Sequence, residues 1–278
     1  MKVTGAIRKP AVAGKFYPAD KTSLTTAVDH LLARAETTSL TGSAIGIISP
    51  HAGYQYSGLT AAYAWLAARD TSFDTVVVVS PSHREYFDGI SVYGGSAYAT
   101  PLGDVGINKE LREQLVSGDG IIEISSAGHR EEHALEVQLP FIQRIRNNAI
   151  LLPVVMGDQR REYCTHLGER LASVLAGSRA LLVASSDLSH YHTYETANDL
   201  DRVVIDDVVS FDELKLMGDL ESGRVEACGG GPMVAVMIAA RNLGATAAHV
   251  LHHCNSGDTG GDRDNVVGYL AASFHRLN

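Results

Sequence analysis

Short apolar segments that end abruptly in polar turn residues constrain the fold of this 278-residue chain more than any other feature. Each is shorter than an ordinary helix and rich in branched side chains, which is typical of buried strands. Each is followed by Ser, Pro, Gly, Asp or His, the residues of turns. If the strands lie parallel, their polar ends meet at one edge of a sheet, where open α/β sheets bind ligands. The segments are 45–49, 75–79, 150–155 and 180–184.

In most of the chain between these strands, apolar residues recur at the spacing of an α-helix. Strands that alternate with helices in this way predict an α/β fold. We expect one domain over residues 1–278, with a central, mostly parallel sheet flanked by helices and an irregular N-terminal arm over residues 1–20. Short antiparallel strands are expected at the sheet edge within 86–107. The predicted helices follow Asp20 and cover 59–68, 109–116, 131–145 with a kink at Pro140, 162–176, two segments of 195–222, and 232–243; further strands are expected at 121–124, 247–251 and 266–272.

The composition argues against several classes of protein. The net charge is −9 and no Lys/Arg cluster is present, so neither a nucleic-acid-binding face nor an anionic membrane surface is expected. No apolar run approaches the roughly 20 residues of a membrane helix, and residues 1–8 lack the apolar core of a signal peptide. The cysteines Cys164, Cys228 and Cys254 are odd in number and irregularly spaced, which predicts no disulfide framework and a cytoplasmic location.

Two histidines end predicted strands and are candidate metal ligands. His51 follows Ser49-Pro50, and His83 follows Pro81-Ser82. Neutral imidazole is the commonest transition-metal ligand, and two imidazoles on neighbouring strand ends can bind one side of an ion. The alternative is that both are ordinary turn residues.

The end of the strand at 180–184 carries a candidate acid–base pair. His190 can take a proton from a bound hydroxyl, and Asp187 can hold the tautomer of the imidazole. The alternative is that Asp187 only caps a turn, and His192 competes with His190 for the same role.

Cys228 precedes three glycines and a predicted helix, so the backbone there can approach a ligand closely. A helix N-terminus also lowers the pKa of a thiol. Its thiolate can serve as a third metal ligand or as a nucleophile, whereas the alternative is a buried, inert cysteine. Cys254 is a second option, which we rank below Cys228.

Residues 129–133 match H-x-x-E-H, the inverted zinc-peptidase motif. However, Gly128 indicates that a helix starts only after His129. In the simpler interpretation Glu132 and His133 face the same cleft as the strand ends, which makes His133 a further candidate catalytic residue.

Taken together, these segments resemble one family, the Memo (mediator of ErbB2-driven cell motility) family, whose prokaryotic members are called AmmeMemoRadiSam system protein B. The family is similar in fold to class III extradiol (LigB-like) dioxygenases. The segments that carry the resemblance are RKPAVAGKFYP (8–18), PHAGY (50–54), PSH (81–83), EHALE (132–136), SSDLSH (185–190) and CG (228–229).

The resemblance implies that His51, His83 and Cys228 bind a metal, that His190 is the acid–base residue, and that Asp187 lies beside it. The dioxygenases use two histidines and a carboxylate to bind iron(II), whereas a thiolate in the third position also admits copper or zinc. We therefore expect an iron(II)-dependent oxidoreductase acting on a small oxygen-chelating substrate. The alternatives are a non-catalytic module that binds a metal or a partner peptide, and a metal-dependent hydrolase. An AMMECR1-domain protein and a radical-SAM protein are the implied partners.

Overall fold

A nine-stranded sheet with helices on both faces forms the frame of the protein. The structure, a computed structural model, describes residues 5–36 and 40–277. Residues 1–4 of the predicted arm and of the segment judged not to be a signal peptide therefore lie outside the described residues. Among the described helices, none combines the length and the apolar character that crossing a bilayer requires.

The elements alternate as the sequence predicts. The strands are β1 (Ile7–Arg8), β2 (Ser43–Ser49), β3 (Thr75–Pro81), β4 (Ile90–Tyr93), β5 (Ala97–Thr100), β6 (Gly103–Gly106), β7 (Ile122–Ser125), β8 (Ile150–Met156), β9 (Ala180–Ser185), β10 (Asp187–His192), β11 (Ala247–Asn255) and β12 (Val266–Arg276). The helices are α1 (Lys21–Arg34), α2 (Tyr54–Ala67), α3 (Lys109–Val116), α4 (Leu139–Ile145), α5 (Arg161–Leu175), α6 (Tyr194–Val209), α7 (Glu213–Glu221) and α8 (Gly230–Asn242).

The centre of the sheet is parallel and buried on both faces. Strands β2, β9, β3 and β8 lie side by side in this order, all parallel. Because successive side chains of a strand point to opposite faces, a run of valines can serve two cores at once. In β3, Val76 and Val78 share a core with α1, α2 and α4, whereas Val77 and Val79 share one with α5 and α8. The predicted α/β fold with a central sheet flanked by helices is confirmed.

The flanks of the sheet are mixed. Strand β12 pairs antiparallel with β2, β10 and β11 on one side, and β4 pairs antiparallel with β8 on the other. Strands β1, β5 and β6 form a separate three-stranded sheet. Of the antiparallel strands predicted within 86–107, β4 therefore joins the main sheet, whereas β5 and β6 pair with each other outside it.

Two local predictions were wrong. The segment 131–135 is not helical, because the Glu132 carboxylate accepts the backbone N–H groups of His133 and Ala134, at 2.9 Å each, and holds a turn. Pro140 therefore lies near the start of α4 instead of kinking a longer helix, after a 3-10 turn at Glu136–Gln138. The segment after Ser185 is a separate strand, β10, instead of an extended tip of β9.

The N-terminal arm is tied to the domain by one buried carboxylate, that of Glu136. This carboxylate forms an ion pair with the buried guanidinium of Arg8. It also accepts the backbone N–H groups of Ala11 at 2.8 Å and Val12 at 3.1 Å, and the hydroxyl of Tyr17 at 2.5 Å. One carboxylate therefore accepts from four residues spread over the ten-residue segment 8–17 and holds this otherwise irregular segment against the domain.

We expect Glu136→Ala to lower the free energy of unfolding by about 3–5 kcal/mol, because Arg8 is left as a buried charge without its partner. Equilibrium urea unfolding measures the change. Glu131→Ala, which removes an exposed carboxylate a few residues away, should change it by less than about 0.5 kcal/mol. Equal stability of the two variants would contradict the anchoring role of Glu136.

Candidate metal centre

A cavity of about 930 Å³ opens at the edge of the sheet where the parallel strands end. The loops after β2, β3 and β9 and the loop before α8 border this cavity. All six site residues predicted from the sequence line it: His51, His83, His133, Asp187, His190 and Cys228.

The backbone places His51 at the floor of the cavity, where it is 1% exposed. The backbone N–H of His51 donates to Asp187 Oδ1 at 2.8 Å, and the ring nitrogen Nδ1 lies 3.0 Å from Ser185 Oγ. The hydroxyl of Ser185 donates its single proton to the carbonyl of Ala134 at 2.6 Å and accepts from Gln138 Nε2 at 3.0 Å. Since a hydroxyl has one proton, Ser185 can only accept from His51, so the proton of the imidazole sits on Nδ1.

His83 carries its proton on the same ring atom. Its Nδ1 lies 2.9 Å from Glu132 Oε1, and its backbone N–H donates to Glu132 Oε2 at 2.5 Å. Burial raises the pKa of Glu132, but the hydrogen bonds and charge of His83 and the backbone N–H of Ala134 outweigh it and lower the pKa to about 2. The carboxylate is therefore ionised and can only accept, so Nδ1 of His83 carries a proton. The neutral form of this ring then has its free lone pair on Nε2, where a metal can bind.

Cys228 completes a group of three donors. Its Sγ lies 3.1 Å from Nε2 of His51, and the donor atoms of His51, His83 and Cys228 all lie within 4.8 Å of one another. The thiol also accepts the backbone N–H of Asp187 at 3.3 Å. Gly229 permits this approach, since a Cβ there would overlap the carbonyl oxygen of Ser185.

The donor set fits a transition metal. Two imidazole nitrogens with free lone pairs and one sulfur are the ligand types that zinc, copper and iron accept, and donors on one ion lie about 3–4 Å apart. Burial lowers the pKa of His51 well below its usual range, so the imidazole stays neutral as a ligand must. Burial and the carboxylate of Asp187 raise the pKa of the Cys228 thiol well above its usual range. The thiol therefore stays protonated until a metal cation binds the sulfur and displaces its proton.

The candidate acid–base residues lie beside these donors. Nδ1 of His190 donates to the carbonyl of Leu188 at 2.7 Å, so its Nε2 is free to accept a proton. The expected tautomer-holding role of Asp187 is therefore taken by Leu188, whereas Asp187 holds the His51 loop. Burial raises the pKa of Asp187. The competing candidate, His192, pairs with Glu226 at 3.1 Å and does not line the cavity.

His133 packs against the two histidines among the metal-ligand candidates, His51 and His83. Its ring stacks on that of His83 with centroids 4.7 Å apart and meets the ring of His51 edge-on at 5.5 Å. Burial, and next the proximity of His51, lower the pKa of His133 to about 4. The imidazole is therefore neutral near pH 7. Phe16 of the N-terminal arm covers it edge-on at 4.8 Å.

The H-x-x-E-H match does not bring its two histidines to one metal site, although Glu132 and His133 lie within ligand reach of His83. His129 is buried away from the cavity, where Nδ1 lies 2.6 Å from the Tyr98 hydroxyl and Nε2 lies 3.2 Å from the carbonyl of Ser91. The segment is also not helical, so the geometry that the motif requires is absent. Cys254 likewise faces Thr60, at 3.2 Å, and does not line the cavity.

Two supporting residues were missed from the sequence. Gln138 is fully buried, bonds to Ser185 and to the carbonyl of Pro50 at 2.9 Å, and accepts from Trp65 Nε1 at 3.0 Å. Phe16 lies in a segment predicted only as an arm. The only sequence signal for Gln138 is a lone amide within an apolar segment, because such an amide needs hydrogen-bond partners when it is buried.

We expect His51 and His83 of the metal-free protein to carry the proton on Nδ1, which long-range ¹H–¹⁵N correlation spectra report directly. Ser185→Ala should remove this preference at His51 alone, because it deletes the acceptor that holds the Nδ1 proton. Ser80→Ala is the matched control, since the hydroxyl of Ser80 is buried without a hydrogen-bond partner. A proton on Nε2 of His51 in the wild type would contradict the assignment.

Comparisons with known proteins identify the family of this chain. A family model described as Memo-like protein matches residues 8–273. The chain is 35% identical to a MEMO1 family protein of Nitrosopumilus maritimus, covering 96% of this chain and 99% of that protein. It is 38% identical to one from Methanothermobacter thermautotrophicus, covering 96% and 100%. The crystal structure of an uncharacterized protein from Escherichia coli shares the fold alone, with a TM-score of 0.51 and 14% identity over 82% of this chain and 98% of that one. The resemblance seen in the sequence is confirmed, and the chain belongs to the Memo family.

Proposed function

We propose that the protein is a metal-dependent oxidoreductase that acts on a small substrate with adjacent oxygen atoms. One observation carries the proposal. One ring nitrogen each of His51 and His83 and the sulfur of Cys228 lie within 4.8 Å of one another at an open cavity. Three donors on one side of an ion leave coordination positions open toward the cavity, which is the arrangement of catalytic sites.

Iron(II) is the metal we propose. Two imidazoles and one anionic ligand on one face are the donors of non-haem iron oxygenases, although they use a carboxylate as the anion. The thiolate makes copper and zinc the alternatives. When bound, the ion would supply a Lewis acid that orients and acidifies the substrate oxygens.

The side chains that border the cavity would then transfer protons and contact the substrate. His190 has a free Nε2 facing the cavity, and we assign it the removal of a proton from a substrate hydroxyl. The neutral ring of His133 borders the same space and can donate or accept one hydrogen bond. The side chains of Met217, Leu220 and Val225 form an apolar wall opposite, which favours a substrate with an apolar body.

We expect His51→Ala, His83→Ala and Cys228→Ala each to lose the metal that the wild type retains after anaerobic loading with iron(II) and gel filtration. Removing one of three ligands leaves too few donors for stable binding. His166→Ala is the matched control, because that histidine pairs with Asp119 away from the cavity. Elemental analysis measures the metal-to-protein ratio, and retention of iron in all three variants would remove the site.

We expect His190→Ala to lower the rate of oxygen uptake with catechols about 10²- to 10⁴-fold while its iron content stays that of the wild type. His192→Ala, outside the cavity, should keep the wild-type rate. The measurement uses an oxygen electrode and iron-loaded protein. A wild type that holds iron and consumes no oxygen with any such substrate would favour the non-catalytic binding module.

A further inference from the structure

One residue at the rim of the cavity, Tyr191, has a backbone conformation that its packing does not explain. Tyr191 has φ of 63°, in the left-handed region that non-glycine residues rarely adopt. Among the described residues Phe211, with φ of 53°, is the only other non-glycine residue with positive φ. Phe211 is buried and stacks on Phe274 at 5.0 Å, so its packing offsets the strain. The side chain of Tyr191 is 73% exposed and gains no such packing.

The strained backbone belongs to a β-bulge. His190 pairs with Val267 of β12 and His192 pairs with Val266, so Tyr191 is the extra residue of β10. Successive residues of a regular strand point to opposite faces. Here His190 and Tyr191 border the same space, and their rings meet edge-on with centroids 5.7 Å apart. The bulge therefore brings the tyrosine ring to the side of the candidate base.

Tyr191 also stands between two cavities. A second cavity of about 460 Å³ adjoins the first, between the N-terminal arm and the loop from β11 to β12. The metal-ligand candidates border only the larger cavity. The residues common to both cavities are Phe16, His133, Asp187, His190 and Tyr191.

We propose that Tyr191 is a ligand-contacting residue, whose ring forms the wall between the two cavities and packs against a planar ligand held over His190. The inference rests on the proposed function, since it requires a ligand bound at the three donors. Backbone strain that the fold itself does not use is found at ligand sites, where it aims a side chain. An exposed aromatic ring with two torsion angles offers a large contact area at low entropic cost.

The first test measures strain without any ligand. Because glycine adopts positive φ freely, Tyr191→Gly should unfold at the same or a higher urea concentration than the wild type. Phe211→Gly, which removes a buried ring from the same type of backbone conformation, should unfold at a lower one. A Tyr191→Gly variant that unfolds at a clearly lower urea concentration would show that the ring stabilises the fold and would overturn the inference.

The second test measures binding of 4-nitrocatechol to iron(II)-loaded protein under anaerobic conditions, by its absorbance change. Tyr191→Gly should weaken binding about five- to tenfold, as expected for the loss of one aromatic contact, whereas Tyr191→Phe should bind as the wild type does. The control is Tyr86→Gly, which removes an exposed tyrosine outside both cavities and should leave affinity unchanged.

The outcomes separate the two proposals. Wild-type protein that binds no 4-nitrocatechol, or a His51→Ala variant that binds it equally well, would contradict the proposed function and this inference with it. Tight binding by both the wild type and Tyr191→Gly, with loss in His51→Ala, would contradict the role of Tyr191 alone.

Discussion

The insertion of β9 between β2 and β3 is the constraint on which the site depends. Parallel pairing on both edges of β9 brings the carboxyl ends of the three strands to one edge of the sheet. Ser49 at the end of β2 pairs with Ser185 at the end of β9, which brings His51 beside Asp187, the first residue of β10. His83 leaves from β3 on the other side. His51 and His83 each lie two residues beyond the end of a strand, so the sheet sets the distance between them. Cys228 comes from the loop before α8, where its sulfur accepts the backbone N–H of Asp187.

Buried hydrogen bonds then decide what those side chains can do. The hydroxyl of Ser185 donates its proton to the carbonyl of Ala134, and the ionised carboxylate of Glu132 cannot donate. Both imidazoles therefore donate through Nδ1, and Nε2 is the nitrogen left to bind a metal. Such supporting partners fix the tautomer and orientation of ligating histidines in metal sites generally. In this protein Ser185 lies at the end of β9, whereas Glu132, Ala134 and Gln138 come from the segment between β7 and α4, which is far from both histidines in sequence. The segment that failed to form the predicted helix is thus the one that supports the site.

The same edge carries the N-terminal arm. Glu136 holds the arm through donors of Arg8, Ala11, Val12 and Tyr17, and the arm in turn lays Phe16 on His133. A residue of the 3-10 turn therefore shapes the mouth of the cavity without touching it. On the opposite side the bulge at Tyr191 interrupts β10 next to His190. Both borders of the cavity are built from irregular backbone resting on a regular sheet.

Local patterns of residues were enough to locate the secondary-structure elements and to indicate the chemistry at the strand ends. Apolar periodicity located most strands and helices, because burial on one or two faces imposes a pattern on neighbouring residues. Polar residues directly after strands identified His51, His83, Asp187 and His190, because parallel strands share an edge. Only the tertiary structure decided which nitrogen of each imidazole is free, that His129 lies outside the cavity, and that Gln138 and Phe16 belong to the site. These depend on partners that are far apart in the sequence, such as Nδ1 of His51 and the hydroxyl of Ser185, 134 residues away, and no local pattern records such pairings.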